Sequence, residues 1–199
     1  MIETELKAIV PDLDAARRRI EANGGRLTFV GRLEDRRYDR SDRSLAAVDH
    51  VLRLRVYRKD TEAVSASIDW KGPSVLTGPY KQREELVTDI AGDPSTLAQI
   101  LERLGFVVTM QIDRSIWQYA LHGATVRFER YPRMDDLVEV EGDPAMIERA
   151  IPILGLPRDS FTTERLPDFA RRFESRTGQL AALSDDELAG GVRYDVSNA

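Results

Sequence analysis

The 199-residue chain contains no cysteine and only two histidines. The first absence excludes a disulfide framework, cysteine-ligated zinc and a thiol nucleophile, and it fits a reducing compartment. His50 and His122 stand alone in the sequence and read as surface or loop residues rather than as ligands. Hydrophobic runs stay far below the roughly 18 residues that a membrane span needs. Met1-Ile2-Glu3 opens the chain without a basic-then-apolar leader pattern. The expectation is a soluble, cytoplasmic protein with no membrane partner. Positive charge is not in excess either: 29 Lys and Arg stand against 34 Asp and Glu, for a net charge of −5, so the bulk balance does not call for nucleic acid. Apolar residues make up 42% of the chain, enough to bury a core, and the length fits one domain.

What is present is alternation. Glu3, Glu5 and Lys7 share one parity among Ile2, Leu6 and Ile9, which reads as a strand with charge on one face. Pro11-Asp12 then opens a helix from Leu13 to Asn23, closed by Gly24-Gly25. Strands are expected at 26–39, 51–58, 64–71, 80–91, 106–121, 124–130 and 136–141, with a Gly/Pro-rich loop at 72–79. Two similar segments, Gly92-Asp93-Pro94 to Gly105 and Gly142-Asp143-Pro144 to Gly155, each place Asp at an N-cap and Pro at the first helical position. Gly-Asp-Pro is common helix-start chemistry, so a true duplication and simple recurrence both fit. A last helix is expected from Thr162 or Thr163 to about Arg176. Ser184-Asp185-Asp186-Glu187 has the form of a capping box.

The charged positions of these strands carry formal charges rather than Ser, Thr or Gln. Arg53 and Arg55 alternate with Leu52, Leu54 and Val56; Arg127 and Glu129 alternate with Val126 and Phe128; Glu139 and Glu141 alternate with Val138 and Val140. An antiparallel sheet with one solvated face accounts for the alternation alone. Two features favour closure instead. Arginine outnumbers lysine at these positions, and its fork suits phosphate or carboxylate. An all-antiparallel domain with this many strands also tends to close and remove its edges. Closure with helices outside turns the charged faces inward, gathering Glu3, Glu5, Glu85, Glu129, Glu139 and Glu141 with Lys7, Arg53, Arg55, Lys71, Lys81, Arg83, Arg114 and Arg127. Such a set needs ligands and water to survive desolvation. Carboxylates suit Mg²⁺ or Mn²⁺, and the cations suit a polyanion, so the ligand that needs both is a metal-chelated polyphosphate. Trp70 and Trp117 are expected to pack on the apolar face, and Arg171-Arg172 to lie on a solvated helix face.

Glu3-Thr4-Glu5-Leu6-Lys7 has the E-x-E-x-K form that opens CYTH-domain proteins, the triphosphate tunnel metalloenzymes. The chain resembles that family in an ordered set from residue 2 to about 170. The set continues with Tyr38-Asp39-Arg40-Ser41-Asp42, Leu52-Arg53-Leu54-Arg55, Trp70-Lys71-Gly72-Pro73, Lys81-Gln82-Arg83-Glu84-Glu85, Arg114 and Val138-Glu139-Val140-Glu141. The resemblance implies an α+β, mainly antiparallel fold: an eight-stranded closed β-barrel tunnel with helices packed outside. It implies metal carboxylates at Glu3, Glu5, Glu139 and Glu141, with Glu129 where the family usually has Asp. It implies triphosphate contacts from Lys7, Arg53, Arg55, Lys71 and Arg114, with Lys81, Arg83 and Glu85 on a tunnel-lining strand, and catalytic roles for Lys7 and Arg55. Two departures bear on substrate choice: Ile112-Asp113 precedes Arg114 where the family often has Lys, and Arg130-Tyr131 follows Glu129.

The expected organisation is a CYTH triphosphate-tunnel domain over 1–177 and an acidic, loosely ordered tail over 178–199. The expected activity is Mg²⁺- or Mn²⁺-dependent hydrolysis of a small-molecule triphosphate, such as tripolyphosphate, thiamine triphosphate or a nucleoside triphosphate. Conversion of ATP to cyclic AMP by a class IV-type adenylate cyclase is the first alternative, and a non-catalytic polyphosphate or nucleotide sensor the second. The full set of acidic positions favours an enzyme. The sequence leaves the oligomeric state open, a homodimer included.

Overall fold

A computed structural model of the chain describes residues 2–59 and 62–194. Among these residues the elements are β1 (Ile2–Ile9), α1 (Leu13–Ala22), β2 (Arg26–Arg40), β3 (Val51–Lys59), β4 (Glu62–Lys71), β5 (Val75–Thr77) and β6 (Tyr80–Asp89), followed by α2 (Pro94–Arg103), β7 (Phe106–Leu121), β8 (Ala124–Arg130), β9 (Leu137–Glu141), α3 (Pro144–Leu154), α4 (Leu166–Thr177) and a single turn, α5 (Asp185–Leu188). The strands pair antiparallel in the order β1-β9-β8-β7-β2-β3-β4-β6, and β6 returns to β1 from Ile2–Glu84 to Glu5–Lys81. The result is a closed eight-stranded barrel. The expected loop at 72–79 contains an extra short strand, β5, which pairs with Val75 opposite Gln82 on β6. No helix among the described residues is long and apolar enough to cross a membrane.

Closure fixes which parity faces in. Leu6 and Ala8 of β1, Tyr119 and Leu121 of β7, Val126 and Phe128 of β8, and Val138 and Val140 of β9 face outward and are buried beneath α1 and α3. Leu13, Ala16 and Ile20 of α1 meet Ile147, Ala150, Ile151 and Leu154 of α3 in the same cluster, the spacing of one apolar helix face. A smaller cluster joins Leu97 and Leu101 of α2 to Tyr38, Leu54 and Ile68 on the other side of the barrel. Trp117 lies against the first cluster with Arg17 over its ring, and Trp70 meets His50 edge to face.

The two Gly-Asp-Pro helices are capped differently. Asp93 accepts a hydrogen bond from the Ser95 amide at 2.9 Å, whereas the Asp143 side chain makes no cap bond. Asp93→Ala should therefore lower stability in urea unfolding by about 1 kcal/mol and Asp143→Ala by clearly less; equal losses would contradict this difference. Helix α4 begins at Leu166, later than the sequence suggests. Thr162 instead exchanges two backbone hydrogen bonds with Lys7 along the edge of β1, at 2.9 and 2.8 Å, which holds it extended.

One end of the barrel is closed by side chains. The inward positions where β1 ends and β9 begins turn apolar, Ile9 and Leu137, as do Met110, Ile112 and Tyr131 nearby; Leu166 and Phe169 of α4 pack onto them. Arg165, the N-cap of α4, donates to Asp49 Oδ1 at 2.8 Å and Ser74 Oγ at 3.2 Å, tying the helix to the loops after β2 and β4. Beyond α4, in the stretch that reads as a loose acidic tail, Ala181 to Ser184 are buried and Ala182 bridges to Arg133. Ser184 caps α5 by accepting from the Glu187 amide at 3.1 Å, and Glu187 in turn accepts from the Leu183 amide at 2.7 Å. Arg171 and Arg172 are about half exposed and pair with Asp168 and Glu164 on a solvated helix face.

Candidate functional site

Inside the barrel lies a cavity of about 290 Å³ lined mainly by charged side chains. Every one of the fourteen charged residues singled out by alternation lines it. Strands β1 and β9, which are neighbours, bring Glu3, Glu5, Glu139 and Glu141 to one wall, with Glu5 directly opposite Glu141 and Lys7 opposite Glu139. The neighbouring strands bring Lys81 and Arg83 from β6 and Arg127 from β8, and the strands beyond them bring Arg53 and Arg55 from β3, Lys71 from β4 and Arg114 from β7.

These charges are buried or half-buried, and most are matched by a partner. Lys7 sits between Glu5 at 2.7 Å and Glu139 at 2.9 Å. Lys71 reaches Glu3 at 2.5 Å, and Lys81 reaches Glu5 at 2.7 Å. Arg114 bridges Asp35 at 3.0 Å and Glu129 at 2.8 Å, and Glu129 also accepts from Arg127 and from the Tyr131 hydroxyl. Arg127 pairs in addition with Glu139. Asp69, buried on β4 directly opposite Arg53, receives Nε of both Arg53 and Arg55. Arg55 also reaches Glu85 at 3.2 Å. Arg83 is held by the Gly72 and Asp49 carbonyls, so its guanidinium also braces the loops at the closed end.

These pairings set the electrostatics. Burial alone raises the Glu5 carboxyl, but Lys7, Lys81 and Lys71 together outweigh it and hold it well below the usual range. Burial likewise works against ionised Asp35, and Arg114, Arg53 and Arg55 reverse it. Glu141 has no hydrogen bond or ion pair among the described residues. Burial, then Glu139 and Glu3, push it up to about 7.

Hard divalent cations take carboxylate oxygens, and Glu3, Glu5, Glu139 and Glu141 offer four such groups on two adjacent strands. As they stand, no three of the acidic or histidine side chains among the described residues converge as a cation site, because three of the four glutamates are turned to lysine or arginine. The uncompensated Glu141, crowded by like charge, is the feature a cation would relieve. The donor set therefore fits a hard divalent ion.

Several lining residues escape a sequence reading. Asp35 and Arg37 come from β2, where Arg32, Glu34 and Arg36 put charge on the other face too, so no alternation singles them out. Tyr57, Gln118 and Thr125 line the end away from α4 as uncharged polar residues, and Arg165 arrives only through the docking of α4.

A family model, CYTH domain, matches residues 1–143. No curated protein matches the sequence. Among solved structures, a protein of Pyrococcus horikoshii OT3 is 21% identical, with a TM-score of 0.68 over 84% of this chain and 98% of that one. A candidate adenylate cyclase of Vibrio parahaemolyticus is 17% identical, with a TM-score of 0.72 over 85% of this chain and 97% of that one. A candidate adenylyl cyclase of Hippeastrum, described by a dominant triphosphatase activity, is 18% identical, with a TM-score of 0.59 over 92% of this chain and 98% of that one. These likenesses are likenesses of fold, and they agree with the barrel. With a match across most of its length, the chain belongs to the CYTH-domain family.

Proposed function

We propose that the protein is a metal-dependent triphosphatase that hydrolyses a small-molecule triphosphate inside the barrel. The observation that carries the reading is the distribution of charge in one cavity: ten cationic and seven anionic side chains line it, with the free carboxylate on one wall and a surplus of cations on the others. A surplus of cations draws in a polyanion, and the carboxylate wall is left for a divalent cation.

Arg53 and Arg55 project from the same face of β3, about 6.5–7 Å apart along the strand, a spacing within reach of adjacent phosphates. Lys71 and Arg114 flank them and neutralise further phosphate oxygens. Lys7, fixed between Glu5 and Glu139, holds a positive charge where the acidic wall meets the substrate. Glu3, Glu5, Glu139 and Glu141 are the residues that would hold Mg²⁺ or Mn²⁺, which when bound supplies charge neutralisation at phosphate and a more acidic water. Phosphoryl transfer asks the protein mainly for position and charge, and both come from rigid strands.

Arg55 tests the substrate assignment. Asp69 and Glu85 hold its Nε and one terminal nitrogen, which aims the guanidinium and leaves Nη1 without a partner among the described residues. Arg55→Ala should weaken tripolyphosphate binding, measured by calorimetry in Ca²⁺, by about 2 kcal/mol, and Arg55→Lys should restore only part of it. Unchanged binding in both variants would remove Arg55 from the substrate site.

The neutral polar end formed by Tyr57, Gln118 and Thr125 favours a second reading, in which a nucleoside lies there and ATP is cyclised. The products decide between them. Incubation with tripolyphosphate, thiamine triphosphate and ATP, each with Mg²⁺ or Mn²⁺, should yield phosphate under hydrolysis. Cyclic AMP with pyrophosphate from ATP would establish the cyclase. Binding without turnover of any of the three would establish a sensor.

A further inference from the structure

Among the cavity cations that the proposed function leaves unused, Arg37 is set apart by having no ion-pair partner among the described residues. It lies on β2 directly opposite Arg53 of β3, and like charges facing each other across an antiparallel pair are unfavourable. Its Nε is buried without a hydrogen-bond partner, and no ion pair among the described residues neutralises it. Burial, with Arg53, Arg114 and Arg83 nearby, draws its pKa down to about 10 against the opposing pull of Asp35. Two residues away, Asp35 Oδ1 is likewise buried with no hydrogen-bond partner, although Oδ2 is bound by Arg114. An orphaned donor and an orphaned acceptor thus face one cavity side by side.

Their position along the barrel is also specific. Arg37 pairs on its other side with Met110 of β7, and Met110 belongs to the apolar cluster that Leu166 and Phe169 of α4 seal. Arg37 therefore stands on the floor of the cavity, where a phosphate chain has to end.

We infer that Arg37, with Arg53 and Asp35, forms a seat for the terminal phosphoryl group of the substrate, so that the protein selects triphosphates with a free end and threads them free end first towards α4. This rests on the triphosphate reading and adds an orientation and a selectivity to it. A terminal phosphoryl group differs from an internal one in two ways. Its second ionisation, with a pKa near 6, gives it more negative charge, and its protonated form has a hydroxyl to donate. The two are alternatives: ionised, the group answers the unpaired guanidinium, and protonated, it donates its hydroxyl to the unpaired Asp35 oxygen. A bridging phosphoryl offers neither. Without a ligand, Arg37 is a half-buried cation with an unpaired Nε beside another cation, so its presence weakens the empty protein.

The test compares ATP with its γ-phosphate O-methyl ester and with tripolyphosphate, using calorimetry in Ca²⁺, in the parent and in Arg37→Met. The parent should bind ATP about tenfold or more tighter than the ester, the size of one charge-assisted contact. Arg37→Met should bind ATP and the ester alike, and its melting temperature without ligand should equal or exceed that of the parent. Equal affinity of the parent for ATP and the ester overturns the terminal seat while leaving the triphosphate reading intact. Retained discrimination in Arg37→Met removes Arg37 from it. Failure of the parent to bind ATP or tripolyphosphate overturns both readings together.

Discussion

Glu141→Gln should reduce metal-dependent turnover by about a hundredfold or more, since losing even a supporting partner of a metal ligand costs a site up to that much. The fold should be untouched. Glu141 makes no ion pair or hydrogen bond among the described residues, unlike Glu5, which pairs with Lys7 and Lys81. Gln keeps the shape and removes a charge that crowds Glu139 and Glu3. Turnover at limiting and saturating Mg²⁺, read beside the melting temperature, separates the effects. A metal ligand gives lost activity at limiting metal with an unchanged or higher melting temperature. Full activity at limiting Mg²⁺ would take Glu141 out of the metal set. Glu5→Gln should lose activity as well, but with a fall in stability, because it strands two lysines.

Asp35→Asn should lower folding stability by about 3 kcal/mol or more, the loss expected when one member of a buried ion network is removed. Asp35 is fully buried and receives Arg114 at 3.0 Å and Arg53 at 3.5 Å, so its neutralisation leaves two arginines short of an anion. The same group predicts a pH dependence. Its carboxyl is held below the unfolded value by these arginines, after they overcome the opposing effect of burial. Its contribution is therefore complete above the unfolded pKa of about 3.9 and declines as pH falls through the folded value. Urea unfolding from pH 7 down to pH 3 should show a smaller acid loss in Asp35→Asn than in the parent. Equal stability of parent and variant at pH 7 would contradict a structural role for this network.

Much of this site is written in period-2 alternation. Where one face of a strand is apolar and the other charged, as at Leu52 to Val56 or Val138 to Glu141, parity alone names the residues that closure turns inward. Strand β2 defeats that reading because both of its faces carry charge, and Arg37 acquires its meaning only from the register that sets it against Arg53. Strand β5 is hidden in a loop rich in Gly and Pro, since three residues are too few to show a period. The start of α4 is displaced by a tertiary contact, the backbone pairing of Thr162 with Lys7, which no local propensity encodes. The plug at the barrel end is similarly long-range: Leu166 and Phe169 look like any amphipathic helix face until Ile9, Ile112 and Leu137 are brought beneath them.

The central claim is that a divalent cation and a triphosphate meet in this cavity. Phosphate release from tripolyphosphate, followed with Mg²⁺, after chelation with EDTA and after Mg²⁺ is restored in excess, tests it most directly. The account predicts release that requires the cation, stops on chelation and returns with it. Undiminished release under chelation, or no release with either Mg²⁺ or Mn²⁺, would contradict it.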